Sequence, residues 1–193
     1  MTALYLGLAI FMGTHLFTGF ARGTRQALIE QIGEMSYKGL YSVISLIGFV
    51  LIIMGWRQAS MEPVYTPPEW GPGAAVILMV LSFILFSAAY LPAGRIKSFV
   101  GHPMVVGTIL FGLAHLLANG DVRSVVLFGA FFSYGILDRI AVAMRGETGP
   151  KGTSLVGDLG ALGLGLLGSY LVIHHLHRYL AGVALDPAHL FGH

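Results

Sequence analysis

Six apolar stretches divide the chain, over residues 3–20, 37–56, 73–92, 103–119, 122–144 and 157–180. Each approaches the ~20 residues that a helix needs to cross the hydrocarbon of a bilayer, and the fourth is the shortest. Only 10% of the side chains are charged, against about 25% in an ordinary soluble domain. A surface so poor in charge has lipid as its solvent. The expected fold is therefore all-α, a polytopic transmembrane bundle of about six helices. Residues 1–193 make one integral membrane domain, with no room for a sizeable soluble one. The first stretch reads as a retained helix rather than a cleaved signal. It has no basic leader, and its charges, Arg22 and Arg25, follow the apolar run.

The basic residues alternate between loops. Segments 21–38, 93–101 and 139–156 hold eight of the eleven lysines and arginines; the other side has Arg57, Arg123 and Arg178. The richer loops are expected in the cytoplasm and both termini in the periplasm. Residues 24–36 mix apolar and polar positions as a short surface helix does, and Glu34 and Lys38 stand at pairing distance along a helix. Pro63, Pro67, Pro68 and Pro72 break the second loop, whose edges carry Trp56, Tyr65 and Trp70. Pro103 suits the first position of a helix. Asn119-Gly120-Asp121 makes a tight turn, with Asp121 placed to cap the next helix. Gly157, Gly160, Gly163, Gly165 and Gly168 predict close packing of the last helix.

An ionisable side chain well inside a span is costly and so a functional candidate. His15 and His115 qualify. His15 shares a helix face with Phe11, Met12, Thr18, Gly19 and Arg22; His115 shares one with Thr108, Phe111, Gly112 and Asn119. Two readings stand. Each imidazole could hydrogen-bond across helices. Alternatively, both could hold a flat macrocycle, with glycine for room, aromatics for its faces, and Arg22 near a propionate. One shared iron requires both imidazoles at one depth. That condition predicts a first helix continuing past Arg22, because a helix ending at Phe20 leaves an offset of ~10 Å.

The remaining histidines lie nearer the ends of spans. His102 precedes Pro103 as a capping residue, a propionate partner or a proton port. His174, His175 and His177 form either an interfacial cluster or a metal site. His189 and His193 sit on a short tail. No cysteine is present, which removes disulfides, thiolate ligands and iron–sulfur clusters. Walker-type loops, nucleophile elbows and H-E-x-x-H are absent. The scattered basic residues give nucleic acid no footprint.

Several motifs add a resemblance. They are Tyr37-Lys38-Gly39-Leu40-Tyr41-Ser42, Ala89-Tyr90-Leu91-Pro92 with Gly94-Arg95-Ile96-Lys97, Gly101-His102-Pro103-Met104, His115-Leu116-Leu117-Ala118-Asn119-Gly120-Asp121, and Leu137-Asp138-Arg139. Through them the chain resembles the NnrU family of bacterial membrane proteins over residues 1 to about 145. A cytoplasmic loop, the last helix and the tail make up 146–193. The family's name comes from a link to nitrite and nitric oxide reduction. The family is similar in turn to the plant 15-cis-zeta-carotene isomerase, a membrane enzyme with haem b and two histidine ligands. By resemblance these ligands match His15, followed by Arg22 or Arg25, and His115, a helix length after His102-Pro103. The enzyme's redox-switched cysteine corresponds to Gly112, so that switch has no counterpart here.

The resemblance implies haem b in the bacterial inner membrane, held by His15 and His115, with Gly112, Phe111, Arg22, His102 and Asn119 around it. Its expected service is to a nitrite or nitric oxide reductase, by electron transfer, gas binding or maturation. The alternatives are cis–trans isomerisation of a lipophilic polyene and a haem-free assembly factor.

Overall fold

The computed structural model describes residues 1–182, so His189 and His193 lie outside the described residues. The elements are α1 (Thr2–Phe20), α2 (Arg22–Ile32), α3 (Glu34–Gln58), α4 (Gly71–Tyr90), α5 (Arg95–Val100), α6 (Pro103–Ala118), α7 (Val122–Met144) and α8 (Leu155–Leu171). α8 runs through a π turn, Val172–Leu176, into α9 (His177–Ala181). Four of these helices and the continuous rod Leu155–Tyr179 are long and apolar enough to cross a membrane. α6 is the short sixth, with 16 residues. The chain is an all-α integral membrane protein.

The packing is that of a protein dissolved in lipid. Leu46, Ile47, Phe49, Ile77, Leu164 and Leu166 face outward, while the interior holds Ala75, Ser82, Ala88, Ala114, Ala161 and Ser169. Lipid gives no hydrophobic drive for helices to meet, so small residues and close backbone approach hold them together. A Cβ on Gly7 would stand 2.6 Å from the Ile52 amide nitrogen, and one on Gly48 2.8 Å from that of Phe11. Those glycines let α1 and α3 touch along their length. Gly157, Gly160, Gly165 and Gly168 likewise meet Pro92, Leu91, Ile84 and Phe83, so the glycine-rich last span packs on the C-terminal half of α4. α1 also packs on α7, α7 on α6, and α6 on α4. The neighbour order is thus α3, α1, α7, α6, α4, α8.

Local signals act as their chemistry dictates. Asp121 caps α7 by accepting from the Ser124 amide at 3.1 Å, and Ser154 caps α8 through the Gly157 amide at 3.1 Å. Pro103 is the first residue of α6. Glu34 and Lys38 pair at 2.7 Å. The surface helix read over 24–36 forms as α2, ending at Ile32, where Gly33 turns the chain with φ of 85°.

One expectation is overturned. Helix 1 does not continue past Arg22: it ends at Phe20, and Ala21, with φ −103° and ψ 46°, separates it from α2. Arg145 fixes the break by donating to the Gly19 carbonyl at 3.0 Å, and it also pairs with Glu147 at 3.0 Å. Glu147 in turn holds Arg22 at 2.8 Å. A cationic clamp at the C-terminus of α1 satisfies carbonyls that another helical turn would have used.

Candidate functional site

His15 and His115 are built alike. Each follows a phenylalanine by four residues, and each ring Nδ1 hydrogen-bonds that phenylalanine's carbonyl oxygen. The distances are 2.7 Å from His15 to Phe11 and 2.9 Å from His115 to Phe111. An imidazole donating from Nδ1 keeps its lone pair on Nε2, and the bond fixes the ring while raising the basicity of that nitrogen. The phenylalanine rings lie beside the imidazoles, with centroids 4.3 Å and 4.5 Å apart.

Their surroundings differ. The His15 ring meets Tyr41 of α3 at 5.5 Å and Tyr134 of α7 at 6.1 Å, both edge-on. The His115 ring stacks on Phe128 of α7 at 4.1 Å. Both imidazoles therefore read their depth against α7. Phe128 and Tyr134 are six residues apart, which places the histidines ~9 Å apart along the membrane normal. Between them stand Phe11, Phe131 and Phe111, with neighbouring centroids at 6.4 Å and 5.5 Å. The structure does not bring His15 and His115 to one level. With α1 ending at Phe20, the offset stays near the ~10 Å expected for a helix that stops there.

The supporting residues also take particular places. A Cβ on Gly112 would stand 2.7 Å from the Phe132 amide nitrogen. The space this glycine leaves is therefore filled by α7, not held for a ring. Arg22 is ion-paired with Glu147 on the basic end of the bundle. His102, the N-cap of α6, places Nε2 3.1 Å from the Glu147 carbonyl oxygen. Asn119 donates from Nδ2 to the His115 carbonyl at 2.9 Å and ends α6. The Arg145 hydrogen bond holds the Glu147 carboxyl below its ordinary range. His174 and His175 lie beside Tyr170, and His177 lies within electrostatic reach of His115. Among the described residues no three His, Asp or Glu side chains gather as a metal-binding group.

The loop after α3 closes the far end over His115. The Val64 and Tyr65 amides donate to the Gly120 carbonyl at 2.8 Å and 3.1 Å, and the Val122 amide donates to Glu62 at 2.9 Å. The Tyr65 hydroxyl donates to the carbonyls of Leu116 and Asn119. Burial pushes its phenol pKa up, so it remains a donor. At the basic end, α1 and α3 instead leave a lipid-facing groove of ≈ 320 Å³, and Tyr41 forms the wall it shares with His15.

Phe128, Phe131 and Tyr134 escaped the reading of individual spans, although their spacing of three puts them on one face of α7. The repeated Phe-x-x-x-His was the other available signal. The family model for the NnrU protein matches residues 3–185, through α8 and beyond the motif-bearing region. No curated protein and no solved structure matches the chain.

Proposed function

On the premise that this chain belongs to the NnrU family, we propose that it is a haem b-binding protein of the bacterial inner membrane, with both termini in the periplasm, serving nitrite or nitric oxide reduction. The carrying observation is the pair of anchored imidazoles, each with Nδ1 on a phenylalanine carbonyl one turn back and Nε2 left as the basic nitrogen. That arrangement suits a nitrogen ligand to iron, and the phenylalanine rings 4.1 to 4.5 Å from the imidazoles give the apolar surroundings a haem would need. The fit holds for each histidine singly. It does not hold for both on one iron, because of the ~9 Å offset and the intervening phenylalanines.

Bound haem would supply one-electron redox chemistry or a coordination position for a diatomic gas. The chain's own residues orient the imidazoles, and Tyr65 ties the loop after α3 to the end of α6 beyond His115. The test is the absorption spectrum of the detergent-purified protein, oxidised and reduced. A haem b spectrum is expected. Loss of the imidazole that holds the iron, in His15→Ala or in His115→Ala, should change it, while His102→Ala should not. A colourless preparation from haem-replete cells overturns the reading.

The groove beside Tyr41 favours a second reading, cis–trans isomerisation of a polyene entering from the bilayer. It predicts conversion of a cis polyene in vesicles that is lost in His15→Ala and retained in His115→Ala. Unchanged isomer ratios with the wild type dismiss it.

A further inference from the structure

The lipid-facing groove between α1 and α3 has an apolar floor and one charged lip. Gly13 and Phe17 of α1, Leu28 of α2, and Leu40 and Ile44 of α3 supply the floor, with Tyr37 nearest the basic end. A Cβ on Gly13 would meet nothing within 4 Å, so the groove is open at its centre. From Tyr37 to Ile44 it runs ~10 Å along α3, a useful part of one acyl chain. Arg25 stands at the lip, its guanidinium 5.5 Å from the Tyr37 ring centroid. It lies one turn before Leu28, so α2 contributes both the cation and part of the floor.

The other cations around this lip are matched. Lys38 holds Glu34 at 2.7 Å, and Arg22 holds Glu147 at 2.8 Å. Gln26 donates to Glu30 at 3.0 Å. Arg25 interacts electrostatically with Glu34, but among the described residues its guanidinium makes no ion pair or hydrogen bond. A guanidinium held at headgroup depth with its donors unspent is complementary to a phosphate. Basic pockets between spans on the cytoplasmic side take anionic lipid headgroups.

We propose that this groove holds one chain of an anionic phospholipid whose phosphate is bound by Arg25. The site is separate from the haem reading and does not depend on it. Because Tyr41 belongs both to the groove and to the surroundings of His15, lipid occupancy would bear on that imidazole from the side.

Native mass spectrometry of the detergent-purified chain, titrated with phosphatidylglycerol or phosphatidylcholine of identical acyl chains, tests the proposal. One phosphatidylglycerol adduct is expected at the lower lipid concentration. Arg25→Gln should reduce the preference for phosphatidylglycerol about five-fold, the ratio corresponding to ~1 kcal/mol for one basic contact. Gly13→Leu fills the groove and should weaken both lipids. Where that variant does not fold, Ile44→Trp narrows the same groove from the lipid side. Glycerol phosphate, the headgroup without chains, should not bind detectably. Equal binding of both lipids by the wild type, an unchanged preference in Arg25→Gln, undiminished adducts in the folded groove-filling variant, or binding of glycerol phosphate alone would each overturn it.

Discussion

His15 and His115 share a local design and differ in everything around it. Both imidazoles are fixed by the carbonyl of a phenylalanine one turn back, which is a property of helix geometry and four-residue spacing. Access is decided elsewhere. At the far end, the chain after α3 bends over α6 and α7 and bonds to Gly120, Leu116 and Asn119, covering His115. At the basic end, the break at Ala21 diverts the chain into α2, and the angle left between α1 and α3 stays open to lipid beside His15. The comparison teaches that a motif sets how a side chain is held, while the loops and breaks set what can reach it.

The most forceful way to break that comparison uses the glycine near each histidine. Gly112→Leu drives a side chain into the Phe132 backbone, whereas Gly13→Leu points into open space. The first should destabilise by ~3 kcal/mol or more, beyond ordinary overpacking because backbone must move. The second should change stability by less than ~1 kcal/mol. Thermal unfolding in detergent, with and without added haem, checks both. A loss in Gly112→Leu only when haem is present would restore the ring to that place.

A smaller effect sharpens the account of the covered end. Tyr65→Phe removes the donor that ties the loop to Leu116 and Asn119. It should cost ~1 kcal/mol and speed hydrogen exchange of the Val64 and Val122 amides. Unchanged exchange would mean that the backbone bonds alone hold the cover.

The smallest effect concerns the clamp at the basic end. Arg145 lowers the Glu147 carboxyl below its ordinary value of 4.5. A carboxylate depressed in the folded state adds stability above the unfolded pKa and loses it as pH falls through the folded one. Stability from this group should thus be constant above about pH 4.5 and decline below it. Glu147→Gln should flatten that acid limb slightly, as read by unfolding temperature against pH. A variant whose difference from wild type grows at low pH would contradict the sign.

Much of this was legible from single segments. The span count, the short fourth span, Asp121 as a cap, Pro103 as a helix start and the Glu34–Lys38 pair all depend on neighbours within a turn. The two histidines were also visible, because an imidazole in an apolar run is conspicuous. What escaped depends on distant partners. Gly112 reads equally as room for a ligand or for a helix, and only the approach of Phe132 decides it. The end of α1 hinged on Arg145, more than a hundred residues away, which occupies the carbonyl of Gly19. Arg22 looked available for a propionate until Glu147 came within 2.8 Å.

The π turn at Val172–Leu176 has a consequence for how this rod tolerates length changes. A π turn holds one more residue than the α-turn it replaces, so it acts as a phase adjuster between the glycine face that seats α8 on α4 and the segment from His177 onward. Deleting one residue there would let the rod close into plain α-helix, with little loss of backbone bonding. The segment beyond would then keep nearly its present heading, because the π turn had absorbed the ~100° that one extra α-helical residue adds. A one-residue deletion that leaves the π turn in place would instead swing the far end of the helix by ~100° while its glycine base stays seated, so the same codon loss is silent in one turn and redirecting in the next.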